Sequence, residues 1–393
     1  MKALKKIKLR SKQLWIILKY LTIKLFSVFT SAKKYKDVWL IAERGDEARD
    51  NGYAFYKYME ENHPEKNFYY IIKKNSPDIY KIDPSRIIFY QSSKHIKYYI
   101  NAKYLLSTHI LGFSPEFRSF EKLVKNFKCF DCNGKKIFLQ HGITQSYIEY
   151  LTKNNVDLDL FICGAKPEYD FILEKFGFDE SVVKYTGFAR YDYLKNDYKK
   201  DYKEILFMPT WRKELYYLSD SEFIKTNYYK NIISILNNER LNKVLVENKI
   251  KLIFYPHYEI QKRIDLFNID RESIVLASSN KYDISDLLKK TDMLITDYSS
   301  VFFDMAYQYK PICYFQPDYE DFRKNQYGEG YFNFNTLGFG KISLNVDDLV
   351  TNILEIINND FKMNEEFQER VNSFFLYNDS SNCDRIYSEV IRK

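Results

Sequence analysis

The most informative segment of the chain reads Met293-Leu294-Ile295-Thr296-Asp297-Tyr298-Ser299-Ser300-Val301-Phe302-Phe303-Asp304. Its first three residues are apolar and predict the end of a buried parallel strand, and helical character resumes at Val301 after a short polar turn. Such a strand-turn-helix places Ser299 and Ser300 at a helix N-terminus, where free main-chain N–H groups and the helix dipole favour an anion. The segment therefore predicts a phosphate-binding turn, and we expect the phosphate to belong to a nucleotide.

Apolar strand segments alternate with helical segments on both sides of this turn. Helices are predicted at 53–61, 222–247, 283–290 and 301–308, among strands at 37–41, 68–72, 86–90, 104–107, 136–139, 158–163, 183–186, 204–208, 251–255, 273–276, 293–295 and 311–315. Strands that alternate with helices form parallel sheets covered on both faces. The predicted fold is therefore α/β, with two Rossmann-like doubly wound domains, and we expect a ligand cleft between them.

The predicted domain boundaries follow composition. A polar run at 196–202 separates an N-terminal α/β domain at 37–196 from a C-terminal α/β domain at 197–393, and residues 1–36 form a separate basic segment. Neither a G-x-G-x-x-G dinucleotide motif nor a P-loop motif follows a predicted strand, which argues against a dehydrogenase or a P-loop enzyme.

The net charge of +7 arises from the N-terminal segment. Residues 1–36 contain eleven Lys or Arg and no acidic residue, which leaves 49 basic and 53 acidic residues in the rest of the chain. The body is therefore slightly acidic, which argues against a nucleic-acid-binding protein.

Within the N-terminal segment, Leu14, Leu18, Leu21, Leu25 and Val28 share one helical face with Ile17, and lysines lie opposite. Lys19 and Lys24 interrupt the apolar run, so we expect an amphipathic helix on the anionic cytoplasmic face of the plasma membrane rather than a spanning helix. The alternative is a helix packed on the protein's own body.

Five cysteines, Cys129, Cys132, Cys163, Cys313 and Cys383, form an odd set that is typical of buried thiols in a reducing compartment. A single C-x-x-C without a second pair at zinc-ribbon spacing does not predict a metal site. The sequence predicts no cofactor.

Polar residues follow the predicted strands where ligands bind in a doubly wound sheet. His141 comes after the strand at 136–139, and its imidazole is suited to accept a proton from a hydroxyl. His257 follows the strand at 251–255 and is a candidate donor to a phosphate. His63, His95 and His109 are interpreted as structural.

Three further groups are candidates for binding a phosphate or a nucleotide. Arg212, which follows Thr210, is a candidate phosphate clamp, with a surface ion pair as the alternative. Asp297 is expected to fix the turn, cap the helix or contact a ribose, and Ser299 and Ser300 to bind an anion or to act as a plain helix cap.

Taken together, these motifs resemble the CDP-glycerol glycerophosphotransferases of teichoic acid synthesis. The resemblance covers residues from about 37 to the C-terminus and is carried by Gln140-His141-Gly142, Gly187-Phe188-Ala189-Arg190-Tyr191-Asp192, Met208-Pro209-Thr210-Trp211-Arg212, Tyr255-Pro256-His257, the 296–304 segment, Lys310–Phe315 with Asp318, and Trp39–Arg44 through Asp50-Asn51-Gly52. The resemblance implies a two-domain GT-B-like fold, transfer of glycerol phosphate from CDP-glycerol to an undecaprenyl-linked acceptor with release of CMP, and attachment to the inner face of the plasma membrane.

The resemblance also implies roles for individual residues. His141 would be the general base, His257 would assist at the pyrophosphate, and Thr210, Arg212, Asp297, Ser299, Ser300 and Arg190 would hold the CDP-polyol. The family signature often has Pro where this chain has Ala189, so the loop that carries Arg190 is expected to be less rigid. CDP-ribitol as the donor, a nucleotide-sugar glycosyltransferase, an inactive membrane scaffold and a homo-oligomer remain open alternatives.

Overall fold

The computed structural model describes residues 2–27, 35, 37–194, 200–326 and 330–393. These residues form two compact units, one made of 1–141, 148–193 and 379–393, and the other of 142–147 and 194–378. The predicted domains were contiguous, whereas in the structure the last fifteen residues belong with the first unit.

The first unit is built on a seven-stranded parallel sheet. Its strands are β1 (Val38–Ala42), β2 (Asn67–Ile72), β3 (Ile87–Phe89), β4 (Tyr104–Ser107), β5 (Lys135–Phe138), β6 (Leu160–Cys163) and β7 (Val183–Tyr185), in the order β3-β2-β1-β4-β5-β6-β7. The chain reverses direction across the sheet between β1 and β4, which is where a doubly wound fold presents its ligand-binding edge.

The second unit is built on a six-stranded parallel sheet. Its strands are β8 (Lys203–Phe207), β9 (Ile250–Phe254), β10 (Ile274–Leu276), β11 (Met293–Thr296), β12 (Ile312–Phe315) and β13 (Gly340–Ser343), in the order β10-β9-β8-β11-β12-β13. The corresponding reversal lies between β8 and β11. All of the predicted strands are present within one or two residues, and β13 is the strand that the sequence patterns missed.

The helices lie before, between and after these strands in chain order. They are α1 (Lys2–Ser27), α2 (Asn51–Asn62), α3 (Ser93–Asn101), α4 (Phe117–Asn126), α5 (Lys166–Lys175), α6 (Asp220–Phe223), α7 (Asn227–Leu236), α8 (Glu239–Glu247), α9 (Tyr258–Gln261), α10 (Ile284–Lys290), α11 (Val301–Tyr307), α12 (Tyr319–Gln326), α13 (Phe334–Leu337), α14 (Val346–Asn358), α15 (Glu365–Phe374) and α16 (Asn382–Ile391).

Helix α1 packs on the first unit through one face and exposes another. Ile16 and Tyr20 are fully buried, and the Tyr20 ring contacts Phe120 and Phe130 at centroid distances of 5.1 and 5.3 Å. Apolar side chains remain exposed on the rest of the helix: Leu14, Trp15, Leu18, Leu21, Leu25 and Phe26. Val28, which the predicted apolar face includes, lies outside the described residues. Within the described chain, no helix combines the length and the apolar character needed to cross a membrane.

Helix α16 joins the first unit through aromatic packing and a carboxylate cap. Its Tyr387 ring lies parallel to Trp39 of β1, with 5.5 Å between the ring centroids. Asp192 accepts hydrogen bonds from the main-chain N–H groups of Asn382 and Cys383 at 3.0 and 2.7 Å, which satisfies donors in the first turn of the helix.

Candidate functional site

The carboxyl edge of the first sheet carries the proposed base. His141 lies just beyond β5, and the residue before it, Gln140, has a left-handed backbone with φ of 62°. The side chain of Gln140 is buried and donates to Glu168 at 3.2 Å. Asn51, also buried, donates to the carbonyl oxygens of Leu139 and Gln140 at 3.1 and 2.8 Å. These bonds fix the main chain from which the imidazole of His141 projects.

One hydrogen bond assigns the tautomer of His141. Its Nδ1 lies 3.1 Å from the main-chain oxygen of Thr108. A carbonyl oxygen can only accept, so Nδ1 carries the proton and Nε2 keeps its lone pair. The imidazole retains solvent access at this position. The arrangement is therefore that of a neutral imidazole with its basic nitrogen free to take a proton.

The surroundings keep His141 neutral. Although the residue is exposed at one side, desolvation by the surrounding protein lowers the pKa of the imidazole below the ordinary value, and the positive charges of Arg44 and Arg190 act in the same direction. The carboxylate of Asp50 opposes them and favours the imidazolium. His141 is thus unprotonated over a wider pH range than a free imidazole, yet an acidic group is near enough to stabilise the charge that it would gain.

His109, which the sequence interpretation left as structural, stacks on His141. The ring centroids are 4.6 Å apart and the ring planes differ by 11°. His109 follows β4, and β4 is the neighbour of β5 in the sheet. Both histidines therefore follow buried strands, but the pairing of β4 with β5 was needed to place them side by side.

Arg190 is held by the first turn of α2. Its main-chain N–H donates to Oδ1 of Asn51 at 3.1 Å, and its guanidinium pairs with Asp50 at 2.8 Å. The same guanidinium donates to the main-chain oxygen of His141 at 3.2 Å. The loop thus has three anchors despite Ala189. Asp50 and Asn51, which were not singled out as site residues, connect Arg190 to the main chain beside the proposed base.

Two residues that flank Arg190, Gly187 and Asp192, also have structural roles. Gly187 has a φ of 77°, and a Cβ there would lie 1.9 Å from Oδ1 of Asn382, so only glycine fits. Asp192 at the other end caps α16. The motif therefore combines a glycine turn, a guanidinium beside His141 and a cap for the last helix.

In the second unit, Asp297 organises the turn that follows β11. Its Oδ1 accepts from the main-chain N–H groups of Thr210 and Tyr298 at 2.9 and 2.6 Å, and its Oδ2 accepts from Arg212 at 2.9 Å. Of the expected roles, Asp297 thus fixes the turn, and these bonds join it to the loop that follows β8.

Arg212 is a buried ion-pair partner in this structure. Its guanidinium makes a bidentate contact with Asp318, at 2.7 and 3.1 Å, in addition to the bond with Asp297. It also donates to the main-chain oxygen of Thr210 at 2.6 Å. The protein therefore occupies four of its five N–H donors. This geometry favours a positioning role, and direct contact with phosphate stays a prediction.

Ser299 and Ser300 directly precede α11, as predicted. Ser300 is the N-cap residue, and its side chain makes no capping hydrogen bond. Among the described residues, no acceptor is recorded for the main-chain N–H groups of Ser299, Ser300 and Val301. Gly142 approaches this turn closely, since a Cβ at that position would lie 3.2 Å from Oγ of Ser300. The turn keeps the donors that an anion would need.

His257 lies beyond β9 in the same unit. Its Nδ1 accepts from the main-chain N–H of Glu259 at 3.3 Å, so the neutral ring carries its proton on Nε2. The ring stacks on Trp211, with 5.8 Å between centroids. Burial lowers its pKa. His257 therefore presents an N–H donor, the form expected of a group that contacts a phosphate oxygen.

Two unsatisfied hydroxyls lie near these residues. Oγ1 of Thr210 and the phenol oxygen of Tyr228 are buried and have no hydrogen-bond partner among the residues that the structure describes. Tyr228, Arg212, Asp297 and Asp318 line a cavity of about 260 Å³ at the carboxyl ends of β8, β11 and β12. Within the described chain, no group of His, Cys, Asp and Glu is arranged to hold a metal ion.

Comparison with known proteins places these motifs in context. A family model described as CDP-glycerol:poly(glycerophosphate) glycerophosphotransferase matches residues 23–392. The minor teichoic acid biosynthesis protein GgaB of Bacillus subtilis (strain 168) is 32% identical over 378 residues, which cover 93% of this chain and 40% of that protein. The teichoic acid poly(glycerol phosphate) polymerase of the same strain is 25% identical over 393 residues, covering 92% of this chain and 51% of the polymerase. The chain spans about half or less of the length of these two relatives.

Two further similarities concern the polyol and the fold. The teichoic acid ribitol-phosphate polymerase TarK of Staphylococcus aureus (strain NCTC 8325 / PS 47) is 25% identical over 245 residues, which cover 58% of this chain and 44% of that protein. The solved structure of the wall teichoic acid polymerase TagF superimposes with a TM-score of 0.69 at 18% identity, and covers 100% of this chain and 96% of that one. The expected GT-B-like α/β fold is confirmed.

Proposed function

Because the chain belongs to the CDP-glycerol:poly(glycerophosphate) glycerophosphotransferase family, we propose that it transfers glycerol phosphate from CDP-glycerol to a hydroxyl of a lipid-linked acceptor. The product polymer is a teichoic acid or a related cell-surface polymer, and the leaving group is CMP. The observation that carries the proposal is the hydrogen bond between Nδ1 of His141 and the main-chain oxygen of Thr108, which leaves Nε2 without a recorded partner among the described residues.

In the proposed reaction, Nε2 of His141 takes the proton of the acceptor hydroxyl. The acceptor oxygen attacks the β-phosphorus of the donor, and the bond from that phosphorus to the CMP oxygen breaks as the new bond forms. Positioning and neutralisation of phosphoryl charge account for most of the catalysis in transfers of this type. Asp50 stabilises the imidazolium that forms, because its carboxylate raises the pKa of His141.

The second unit supplies the groups that would hold the donor. The N–H groups of the Ser299–Ser300 turn and Nε2–H of His257 are donors suited to the pyrophosphate oxygens. Asp297 and Arg212 fix the two loops that carry Thr210 and the turn. In this proposal the hydroxyl of Thr210 gains its missing partner from the bound CDP-polyol.

A panel of donors tests the reaction. Release of CMP is measured with CDP-glycerol, CDP-ribitol and UDP-sugars, each with a lipid-linked acceptor. We expect CDP-glycerol to give the highest kcat/KM. The alternative of a CDP-ribitol donor is favoured by the similarity to TarK, and a higher kcat/KM with CDP-ribitol would establish it. Release of UDP would indicate a nucleotide-sugar glycosyltransferase, and no release with any pair would indicate an inactive scaffold.

Replacement of the base tests the assignment of His141. Because general-base catalysis contributes about 10²–10⁴-fold, we expect His141→Ala to lose about that factor in kcat. The fold should be retained because the imidazole has access to solvent, and the unfolding transition provides that control. A variant that turns over at nearly the wild-type rate would show that another group takes the proton.

The proposed location is the cytoplasmic face of the plasma membrane, with the protein attached peripherally. The exposed apolar side chains of α1, among them Leu14, Leu18 and Leu25, support this location. Such a position would bring the site to an undecaprenyl-linked acceptor, whose lipid is confined to the bilayer.

A further inference from the structure

Arg44 is an exposed arginine at the carboxyl end of β1 with a fixed orientation. Its Nε–H donates to Nε2 of His109 at 2.8 Å. A guanidinium is planar and its N–H groups have fixed directions, so one bond at Nε also determines where the terminal amino groups lie. Arg44 is therefore a held cation on the edge of the first sheet, even though it is open to solvent.

The acceptor of this bond is itself held. Since Nε2 of His109 accepts from Arg44, its Nδ1 carries the proton and donates to Oγ1 of Thr108 at 2.9 Å. Burial, together with the neighbouring His141 and Arg44, lowers the pKa of His109 to about 3. His109 thus stays a neutral hydrogen-bond acceptor at any pH at which the protein would work.

The two arginines near His141, Arg190 and Arg44, differ in their ion pairs. Arg190 is paired with Asp50 at 2.8 Å. For Arg44, no carboxylate is recorded within ion-pair distance in the part of the chain that the structure describes. Its terminal amino groups are therefore available to an anion from outside the protein.

Because Arg44 lies near His141, we expect this anion to belong to the acceptor. The ring that holds Arg44 stacks on His141 at 4.6 Å, and in the proposed function His141 receives the proton of the acceptor hydroxyl. In the proposed function, the pyrophosphate of the donor is bound by the turn and His257 of the second unit. Resting on the proposed function, we propose that Arg44 binds a phosphate carried by the acceptor, so that the protein selects alcohols that bear a phosphate ester over uncharged polyols.

Two acceptor probes test the inference with the full chain and CDP-glycerol. One is an alkyl phosphoglycerol, and the other is the alkyl glycerol ether that lacks the phosphate. For Arg44→Gln, we expect the KM of the phosphoglycerol probe to rise about 10–100-fold, as for the loss of a hydrogen bond to a charged group. The KM values of the ether and of CDP-glycerol should stay within about two-fold of wild type. Arg44→Lys, which keeps the charge but loses the fixed fork, should give an intermediate KM.

The matched control is Lys103→Gln. Lys103 is an exposed cation that precedes β4, so it lies at the opposite end of the strand that His109 follows. This variant removes the same charge and should leave all three KM values unchanged. Equal losses for both acceptors in Arg44→Gln, or a higher KM for CDP-glycerol, would overturn the inference, since the first outcome indicates a role in holding His141 and the second a role with the donor.

Equilibrium binding separates this inference from the proposed function. Calorimetric titration of the phosphoglycerol probe without donor needs no turnover. Tighter binding of this probe than of the ether by wild type, with the difference lost in Arg44→Gln, would support the anion site even if CDP-glycerol were not the donor. Equal affinities of wild type for the two probes would overturn it.

Discussion

At His141, burial determines the pH range over which the proposed base is neutral, and the hydrogen bond to Thr108 acts in the opposite direction. The neutral imidazole is the proposed base, and burial lowers the pKa of this group below the ordinary value of about 6.5. Activity should therefore persist as the pH falls through 6.5 and decline only at the lower pKa of His141. The measurement is kcat/KM against pH with CDP-glycerol, and an acidic limb at or above 6.5 would contradict the assignment.

The lowered pKa values of the histidines also make the stability of the fold depend on pH. The unfolded chain binds protons at histidine as the pH falls below about 6.5, whereas the folded chain resists them. The pKa values of His95 and His109, lowered to about 4 and about 3, extend this resistance. The free energy of unfolding should therefore decrease as the pH falls from about 6.5 towards 3.

Arg212 allows a stability test of the second unit. Replacement by Gln leaves the buried Asp297 without its charge partner, and breaking a buried pair costs about 3–5 kcal/mol. We expect the lower end of that range because the side chain of Asp318 is 35% exposed. Urea unfolding followed by fluorescence measures the loss.

The matched control for Arg212→Gln is Arg271→Gln. Arg271 forms an exposed ion pair with Glu239 in the same unit, and its loss should hardly change the unfolding midpoint. If Arg212→Gln unfolded at the same urea concentration as wild type, the guanidinium would not be needed to stabilise the carboxylates of Asp297 and Asp318. A direct role of Arg212 at the phosphate would then become the better interpretation.

At the scale of the element, helix α1 packs on the first unit and is also proposed to contact the membrane, so a test must separate these two roles. Deletion of the helix would uncover the core around Ile16 and Tyr20, so loss of membrane binding after deletion would have two explanations. Replacing Leu14, Leu18 and Leu25 with Ser changes only exposed side chains. We expect this triple variant to sediment with anionic vesicles much less than wild type, because less apolar area enters the interface.

A second triple variant controls for lost apolar surface in general. Val246, Leu344 and Leu376 are 64%, 63% and 56% exposed in the second unit. Their replacement by Ser should leave vesicle binding unchanged. Equal sedimentation of both variants and wild type would rule out the exposed face of α1 as a membrane contact.

Elements were predictable where local pattern and burial agree. The strand at 293–295 is apolar and fully buried, and it was predicted within one residue of β11. β13 was missed because Gly340 and Lys341 interrupt its apolar pattern, and its place is set by pairing with β12. At this site Gly340 is required by close approach, since a Cβ would lie 1.9 Å from the carbonyl oxygen of Ile312.

At the scale of the whole molecule, the first unit contains residues from both ends of the sequence, since 379–393 belong to it together with 1–141. A chain that ends at residue 378 would lack α16, its contact with Trp39 and the group that Asp192 caps. We expect this truncation to destabilise the first unit while the second unit keeps its stability. Hydrogen exchange measures both, and faster exchange in β1 with unchanged exchange in β8 is the expected result. Equal protection of β1 in the truncated chain would show that α16 adds no stability.

Only those residues of the candidate site that directly follow a strand were predictable from the sequence. His141, His257 and the turn at Ser299 each follow an apolar run in the sequence, so their neighbours along the chain were sufficient to find them. The stacking of His109 on His141 and the bond from Asn51 to Gln140 depend on which strands and helices are adjacent. Arg212 was recognised as a charged group at the site, but its carboxylate partners lie 85 and 106 residues away.

The membership of α16 in the first unit has a consequence for biosynthesis. Between Tyr193 and Asp379 the ribosome must add the whole second unit, which takes about 10–40 s at about 5–20 residues per second. During that interval the side of Trp39 that Tyr387 will cover remains open to water and to other nascent chains. The protein should therefore depend on chaperones most strongly in the time between translation of its first unit and arrival of its last helix.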